Sequence, residues 1–147
     1  MSKKKKNYFH TMFIHFYFSS SLFSSNSAEN GGVFSMIGQS KFTTQNCIFK
    51  TNNATIGGTI FIEKDGATKI NNSTFLENYS KNEGGVIQCI EKCQIYILNK
   101  TYMIDNYAVN QGGVGSLYYS IISISDSVFL RNKGELPKKN SFLKNFY

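Results

Sequence analysis

At 147 residues with 41% hydrophobic and 15% aromatic content, the chain can bury one core and is too short for several domains. Its net charge of +7 resides in two tails, Lys3 to Lys6 and Lys138, Lys139 and Lys144. The body between them has no basic stripe interleaved with aromatics, so no nucleic-acid partner is expected. Three cysteines give no disulfide framework.

Residues 1–22 admit two readings. MSKKKKN, YFHTMFIHFYF and SSSLFSS follow the order of a signal peptide: a basic region, an apolar stretch and small residues, too short to span a membrane. Against this, SLFSSN occupies the place of a regular corner, which makes MFIHFYF the strand of a truncated first coil. His10 and His15 lie five apart, where no regular strand or helix aligns them on a metal without further ligands. They read as packing or surface residues, and no metal or cofactor is expected.

Residues 23–132 carry a repeat. FSSNSAENGG from Phe23 returns as FKTNNATIGG from Phe49, FLENYSKNEGG from Phe75 and MIDNYAVNQGG from Met103, and begins once more as FLRNKGE from Phe129. The anchors are spaced by 26, 26, 28 and 26 residues. An Asn follows each one, at Asn26, Asn52, Asn78, Asn106 and Asn132, and glycine pairs follow at 31–32, 57–58, 84–85 and 112–113. A unit of this length cannot bury its own apolar face, so the copies must stack as a solenoid.

VFSMI, TIFIE, VIQCI and VGSLY, which follow the glycine pairs, have the composition of strands. Alternation points Phe34, Ile60 and Ile87 inward, together with Met36, Ile62, Cys89 and Leu117 two residues on. A second strand precedes each anchor, with Thr44, Ile70, Leu98 and Ile124 aligned five residues before it. Cys47, Ser73, Thr101 and Ser127 align two before it. In stacked parallel coils like residues lie about 4.8 Å apart, so a corner Asn can bond the next coil while paired glycines supply positive φ at another corner. The fold expected is all-β, a right-handed parallel β-helix of about four coils, followed by a tail over 133–147 in which Pro137 ends the last strand.

GGVFSM, GGTIFI, GGVIQC and GGVGSL, beside the F/M-x-x-N turns, resemble the repeats of polymorphic outer membrane proteins and similar repeats in large surface proteins of ciliates. The resemblance covers roughly Phe23 to Asn132 and implies a β-helix of the pectin-lyase-like kind that serves as scaffold and adhesive surface. Met103 and Gly115 depart from the pattern, which predicts looser packing in the fourth coil.

Glu77, Asp105 and Arg131 each sit two residues after their anchors, so stacking places two carboxylates and a guanidinium in one column about 5 Å apart. That spacing suits a retaining glycosidase pair or calcium between carboxylates. The competing reading, a solvent-facing corner where opposite charges offset one another, is favoured here, and the same holds for Glu63, Asp65 and Glu91 with Lys64 and Lys92. Cys89 and Cys93 would lie about 13 Å apart in an extended strand, too far for a disulfide unless the chain turns between them. Five Asn-x-Ser/Thr acceptors, at Asn53, Asn71, Asn72, Asn78 and Asn99, suit a secreted glycoprotein, although Asn78 belongs to the corner column and its amide is expected to be enclosed.

The function expected is a noncatalytic repeat scaffold, a cell-surface or secreted segment of a larger protein that adheres to a glycan or protein, with membrane association through that parent chain. The alternative is a polysaccharide lyase or glycoside hydrolase. Exposed strand edges at the ends of the coil stack also predict end-to-end self-association.

Overall fold

The computed structural model describes residues 14–135 and the pair 141–142. The described residues contain no helix, and the chain winds through about five turns, each contributing one strand to each of four sheets. The first turn holds β1 (His15–Ser19), β2 (Leu22–Ser24), β3 (Ser27–Asn30) and β4 (Phe34–Ile37). The second holds β5 (Lys41–Gln45), β6 (Ile48–Lys50), β7 (Asn53–Ile56) and β8 (Ile60–Glu63). The third holds β9 (Ala67–Asn71), β10 (Thr74–Leu76), β11 (Tyr79–Ser80) and β12 (Ile87–Ile90). The fourth holds β13 (Gln94–Leu98), β14 (Tyr102–Ile104), β15 (Tyr107–Ala108) and β16 (Gly115–Leu117). The last holds β17 (Ile121–Ile124), β18 (Val128–Leu130), β19 (Lys133–Gly134) and β20 (Ser141–Phe142).

The first sheet stacks β1, β5, β9, β13 and β17, and the other three follow the same order from β2, β3 and β4. Every pairing is parallel except the last, where β20 runs antiparallel to β16. The all-β parallel solenoid is as expected, with about five turns rather than about four. The additional turn arises because HFYFS forms β1 beneath β5, and because β17 to β19 continue three of the sheets. Residues 1–13, with the basic run and His10, and residues 136–140 and 143–147, with Pro137 and the second lysine cluster, lie outside the described residues.

Left-handed corners make the short strands possible. The residue before each ladder Asn has positive φ: Ser25, Thr51, Glu77, Asp105 and Arg131, between 51° and 56°. The glycine pair divides two tasks. Gly84 has φ +65°, and a Cβ there would also fall on the carbonyl oxygen of Ile87, so its requirement is both conformational and steric. Gly85 lacks positive φ; a Cβ there would strike the carbonyl oxygen of Gly113 in the next turn, so its absence lets two turns close up.

Inside, Phe23, Phe49 and Phe75 stack face to face, with ring centroids 5.0 and 4.5 Å apart. Phe42, Ile60, Ile62, Ile70, Ile87, Ile95 and Ile97 are among the other side chains of the buried core, with Met103 and Val114 in the fourth turn. The small polar column is also in place: Ser73 Oγ accepts from the Cys47 amide at 3.2 Å, and Thr101 Oγ1 accepts from the Ser73 amide at 3.4 Å.

Two expectations are corrected. Ile97, not Leu98, pairs with Ile70 and Ile124 on the inner face. The fourth turn spends its extra residue at the corner after β13, where both Asn99 and Lys100 take positive φ and shift the count by one. Cys89 and Cys93 do form a disulfide, with Cα atoms 6.3 Å apart. The extended-strand distance does not apply, because Glu91 and Lys92 adopt φ of +67° and +54° and turn the chain between β12 and β13. Cys47 stays a buried thiol.

Candidate functional site

The column predicted from sequence exists. Glu77, Asp105 and Arg131 occupy equivalent corners, with the Glu77 amide donating to the Ile104 carbonyl at 3.0 Å and the Asp105 amide to the Leu130 carbonyl at 3.0 Å. Its chemistry is already spent. Arg131 Nε donates to Asp105 Oδ1 at 2.7 Å and Nη2 to Oδ2 at 2.6 Å, a two-pronged pair occupying both carboxylate oxygens. The hydrogen bond from Arg131 holds the Asp105 carboxyl below its ordinary 3.8, reinforced by the charges of Arg131 and Lys133 and partly opposed by desolvation. Glu77 is exposed one turn away. At a different corner, where the fourth sheet leads into the first, Lys64 Nζ lies 3.6 Å from Glu63 Oε1.

A second constellation was not read from the sequence. Glu83 precedes the third glycine pair and forms an isolated bridge to Gln111, its counterpart one turn on. Its Oε1 accepts from Gln111 Nε2 at 2.9 Å. Its Oε2 accepts from Gln88 Nε2 at 3.2 Å, Ser116 Oγ at 3.2 Å and Tyr118 Oη at 3.0 Å. Gln88, Gln111 and Ser116 are fully enclosed. The Tyr118 phenol is pushed above its ordinary 10.0, first by burial and then by its hydrogen bond to Glu83. Beside this hub lies a cleft of about 330 Å³ between Ile56, Asn82, Ile90 and Tyr118. Four neutral donors satisfy the carboxylate's acceptor positions, so Glu83 acts as a clamp between the third and fourth turns. Gln88 and Ser116 lie next to the inward positions Cys89 and Leu117, so alternation turns them outward, where the chain at 82–83 and 111 bonds over them.

The outer face of the first sheet has a different character. The strands HFYFS, KFTTQ, ATKIN, QIYIL and IISI contain no Asp or Glu. Their register sets Tyr17, Thr43, Lys69, Tyr96 and Ser123 in one outward column and His15, Lys41, Ala67, Gln94 and Ile121 in the next. His15, expected as a packing or surface residue, is exposed, with Nε2 2.9 Å from Thr43 Oγ1. Neither Lys41 nor Lys69 enters an ion pair among the described residues. Alanine at 67 leaves a hollow of about 230 Å³ ringed by Lys41, Thr43, Lys69, Gln94 and Tyr96. Two residues further along the strands, Gln45, Asn46, Asn71, Asn72, Asn99 and Lys100 line a second hollow of about 370 Å³, with Asp126 at its last-turn end.

The five acceptor asparagines separate by burial: Asn78 is 0% exposed, Asn53 and Asn71 are half-buried, and Asn72 and Asn99 are exposed. Among the described residues no three His, Cys, Asp or Glu side chains gather as a metal site, and no helix is long and apolar enough to cross a membrane. No protein family, curated protein or solved structure matches the chain.

Proposed function

We propose that the chain is a noncatalytic β-helical repeat scaffold, a cell-surface or secreted segment that adheres to a glycan or protein through an outer sheet face. The glycine-pair and F-x-x-N register fits the polymorphic outer membrane protein type of repeat. The observation that carries the reading is the commitment of the best-placed acids: Arg131 occupies both oxygens of Asp105. Glu83 is saturated by four neutral donors. An acid held this way has both oxygens engaged by fixed donors of the fold instead of being turned toward a substrate, as a scaffold requires.

The test is prolonged incubation with acidic polysaccharides, with and without calcium, followed by assay for new reducing ends and unsaturated products. No product is expected. Turnover that Asp105→Asn abolishes would replace this reading with that of a polysaccharide lyase or hydrolase.

A further inference from the structure

The geometry points to the outer face of the first sheet as the binding surface for a sulfated polysaccharide, with one sugar ring seated in the hollow over Ala67. This rests on the scaffold reading and names its ligand. Three features of the face converge. It presents the unpaired ammonium groups of Lys41 and Lys69 on strands that contain no carboxylate, and in the adjoining hollow Asp126 is offset by Lys100, so the charge of the two hollows together is positive. Its two tyrosines lean along the sheet: Tyr17 Oη donates to Gln45 Oε1 at 3.0 Å, on the neighbouring strand, and Tyr96 Oη to Gln94 Oε1 at 3.4 Å, two residues away on its own strand. A ring lying along the sheet offers its face to the apolar side of a sugar. The adjoining amides Gln45, Asn46, Asn71, Asn72 and Asn99 form a lattice of paired donors and acceptors, the complement of a hydroxyl-rich chain.

The neighbouring amides already show this geometry among themselves. Asn72 Nδ2 donates to Asn46 Oδ1 at 2.7 Å and Asn99 Nδ2 to Asn71 Oδ1 at 2.9 Å, so their orientation is set before any ligand arrives. The turns repeat about every 4.8 Å, near the length of a single sugar ring, so successive rings of a chain lying along the solenoid meet equivalent positions. Charge type selects among anions. The first sheet has no arginine, whose planar fork grips carboxylates and tetrahedral oxyanions alike, and presents lysine point charges whose three rotatable donors match the three free oxygens of a sulfate ester. Amides outnumber cations here, which also disfavours a nucleic acid, whose affinity would come from many phosphate contacts.

The test uses one backbone in three forms: dextran sulfate, carboxymethyl dextran and neutral dextran, titrated into the full chain at a fixed salt concentration. Dextran sulfate is expected to bind at least tenfold more tightly than carboxymethyl dextran, with no detectable binding of neutral dextran. Lys41→Gln with Lys69→Gln should weaken dextran sulfate binding at least tenfold, while replacement of Lys3 to Lys6 by serine should change it less than threefold. Ala67→Leu keeps the charge and fills the hollow, so it should weaken binding about as much as the lysine pair. Circular dichroism of each variant establishes that it is folded. The proposal is overturned if the tail variant alone loses binding, if Ala67→Leu binds like the parent chain, if carboxymethyl dextran equals dextran sulfate, or if single-stranded DNA displaces dextran sulfate at equal charge. Cleavage of the glycan would instead count against the scaffold reading.

Discussion

Asn106 Oδ1 receives both the backbone amide and the side-chain Nδ2 of Asn78, each at 2.9 Å. Asn78 Nδ2 reaches back as well, to the Phe49 carbonyl at 3.0 Å, and Asn78 Oδ1 accepts the amide and the Nδ2 of Asn52 at 3.0 Å each. A single side chain thus joins three turns in a fully enclosed site. Asn78→Leu keeps the volume, leaves the Asn52 amide without its acceptor and removes one of the bonds to the Phe49 carbonyl, at about 1–3 kcal/mol for the buried amide. Urea denaturation should show that loss; a midpoint unchanged from the parent would mean that the ladder contributes nothing.

The glycines should differ in the severity of their substitution. Gly38 has φ +81° with no atom within 4 Å of an added Cβ, so Gly38→Ala meets backbone strain alone, about 1–2 kcal/mol. Gly85→Ala meets the Gly113 carbonyl of the next turn and should cost about 3 kcal/mol or more, enough to abolish soluble expression if the domain is marginally stable. Equal tolerance of the two substitutions would contradict the close approach of the turns.

Thiol counting tests the corner disulfide. After denaturation without reductant, one thiol per chain should react, that of Cys47, and three should react after reduction. The loop closed by Cys89 and Cys93 is short, so reduction should lower stability by about 2 kcal/mol. Three reactive thiols before reduction would refute the pairing.

The ion pair between Asp105 and Arg131 predicts a small, signed pH dependence. The folded carboxyl is depressed by its hydrogen bond to Arg131, so its stabilisation is present above the unfolded value, near 3.9, and is lost as pH falls through the lower folded value. The pair lies at the surface, with the Arg131 side chain 60% exposed, so screening keeps the contribution small. Asp105→Asn should therefore reduce stability slightly at neutral pH and match the parent at the acid end of the profile. A difference that grows on acidification would reverse the assignment.

Tyr118 gives an independent readout of the hub. Burial and Glu83 both raise its phenol, so ultraviolet titration should place Tyr118 above the ordinary 10.0, together with Tyr107, which its hydrogen bond to Glu135 raises independently of Glu83. Stability from its neutral form is present below the unfolded value and fades as pH rises toward the folded one. Glu83→Gln removes the anion and should lower the titration midpoint while burial keeps it above 10.0. A midpoint unmoved by that substitution would place Glu83 away from the hydroxyl.

Features tied to a fixed interval were legible in the sequence. Asn52, Asn78 and Asn106 recur in register because each must meet its counterpart one turn away, and Phe49 and Phe75 recur because their rings stack. What escaped was set by corners whose residues carry no turn signature. Glu91 and Lys92 are ordinary charged residues that take left-handed geometry, and nothing in CIEKC announces it. Ile97 was displaced by one place because the extra residue of its turn lies between it and the anchor from which the count ran. Glu83, Gln88, Gln111 and Ser116 converge from separate segments, and Lys41 and Lys69 become neighbours across Ala67 only through a register spanning two turns.

The asparagine ladder has a direction. In every step the earlier turn donates and the later one accepts, from Asn26 through Asn132, so the side-chain amide dipoles align along the axis instead of cancelling. Aligned dipoles polarise one another, and each bond in the middle of the row is strengthened from both sides. The energetic weight of an asparagine therefore depends on its place in the row, greatest at Asn78 and least at Asn26, whose oxygen has no amide behind it among the described residues. The row behaves as one polarised unit, which links the stability of each turn to the turns on either side.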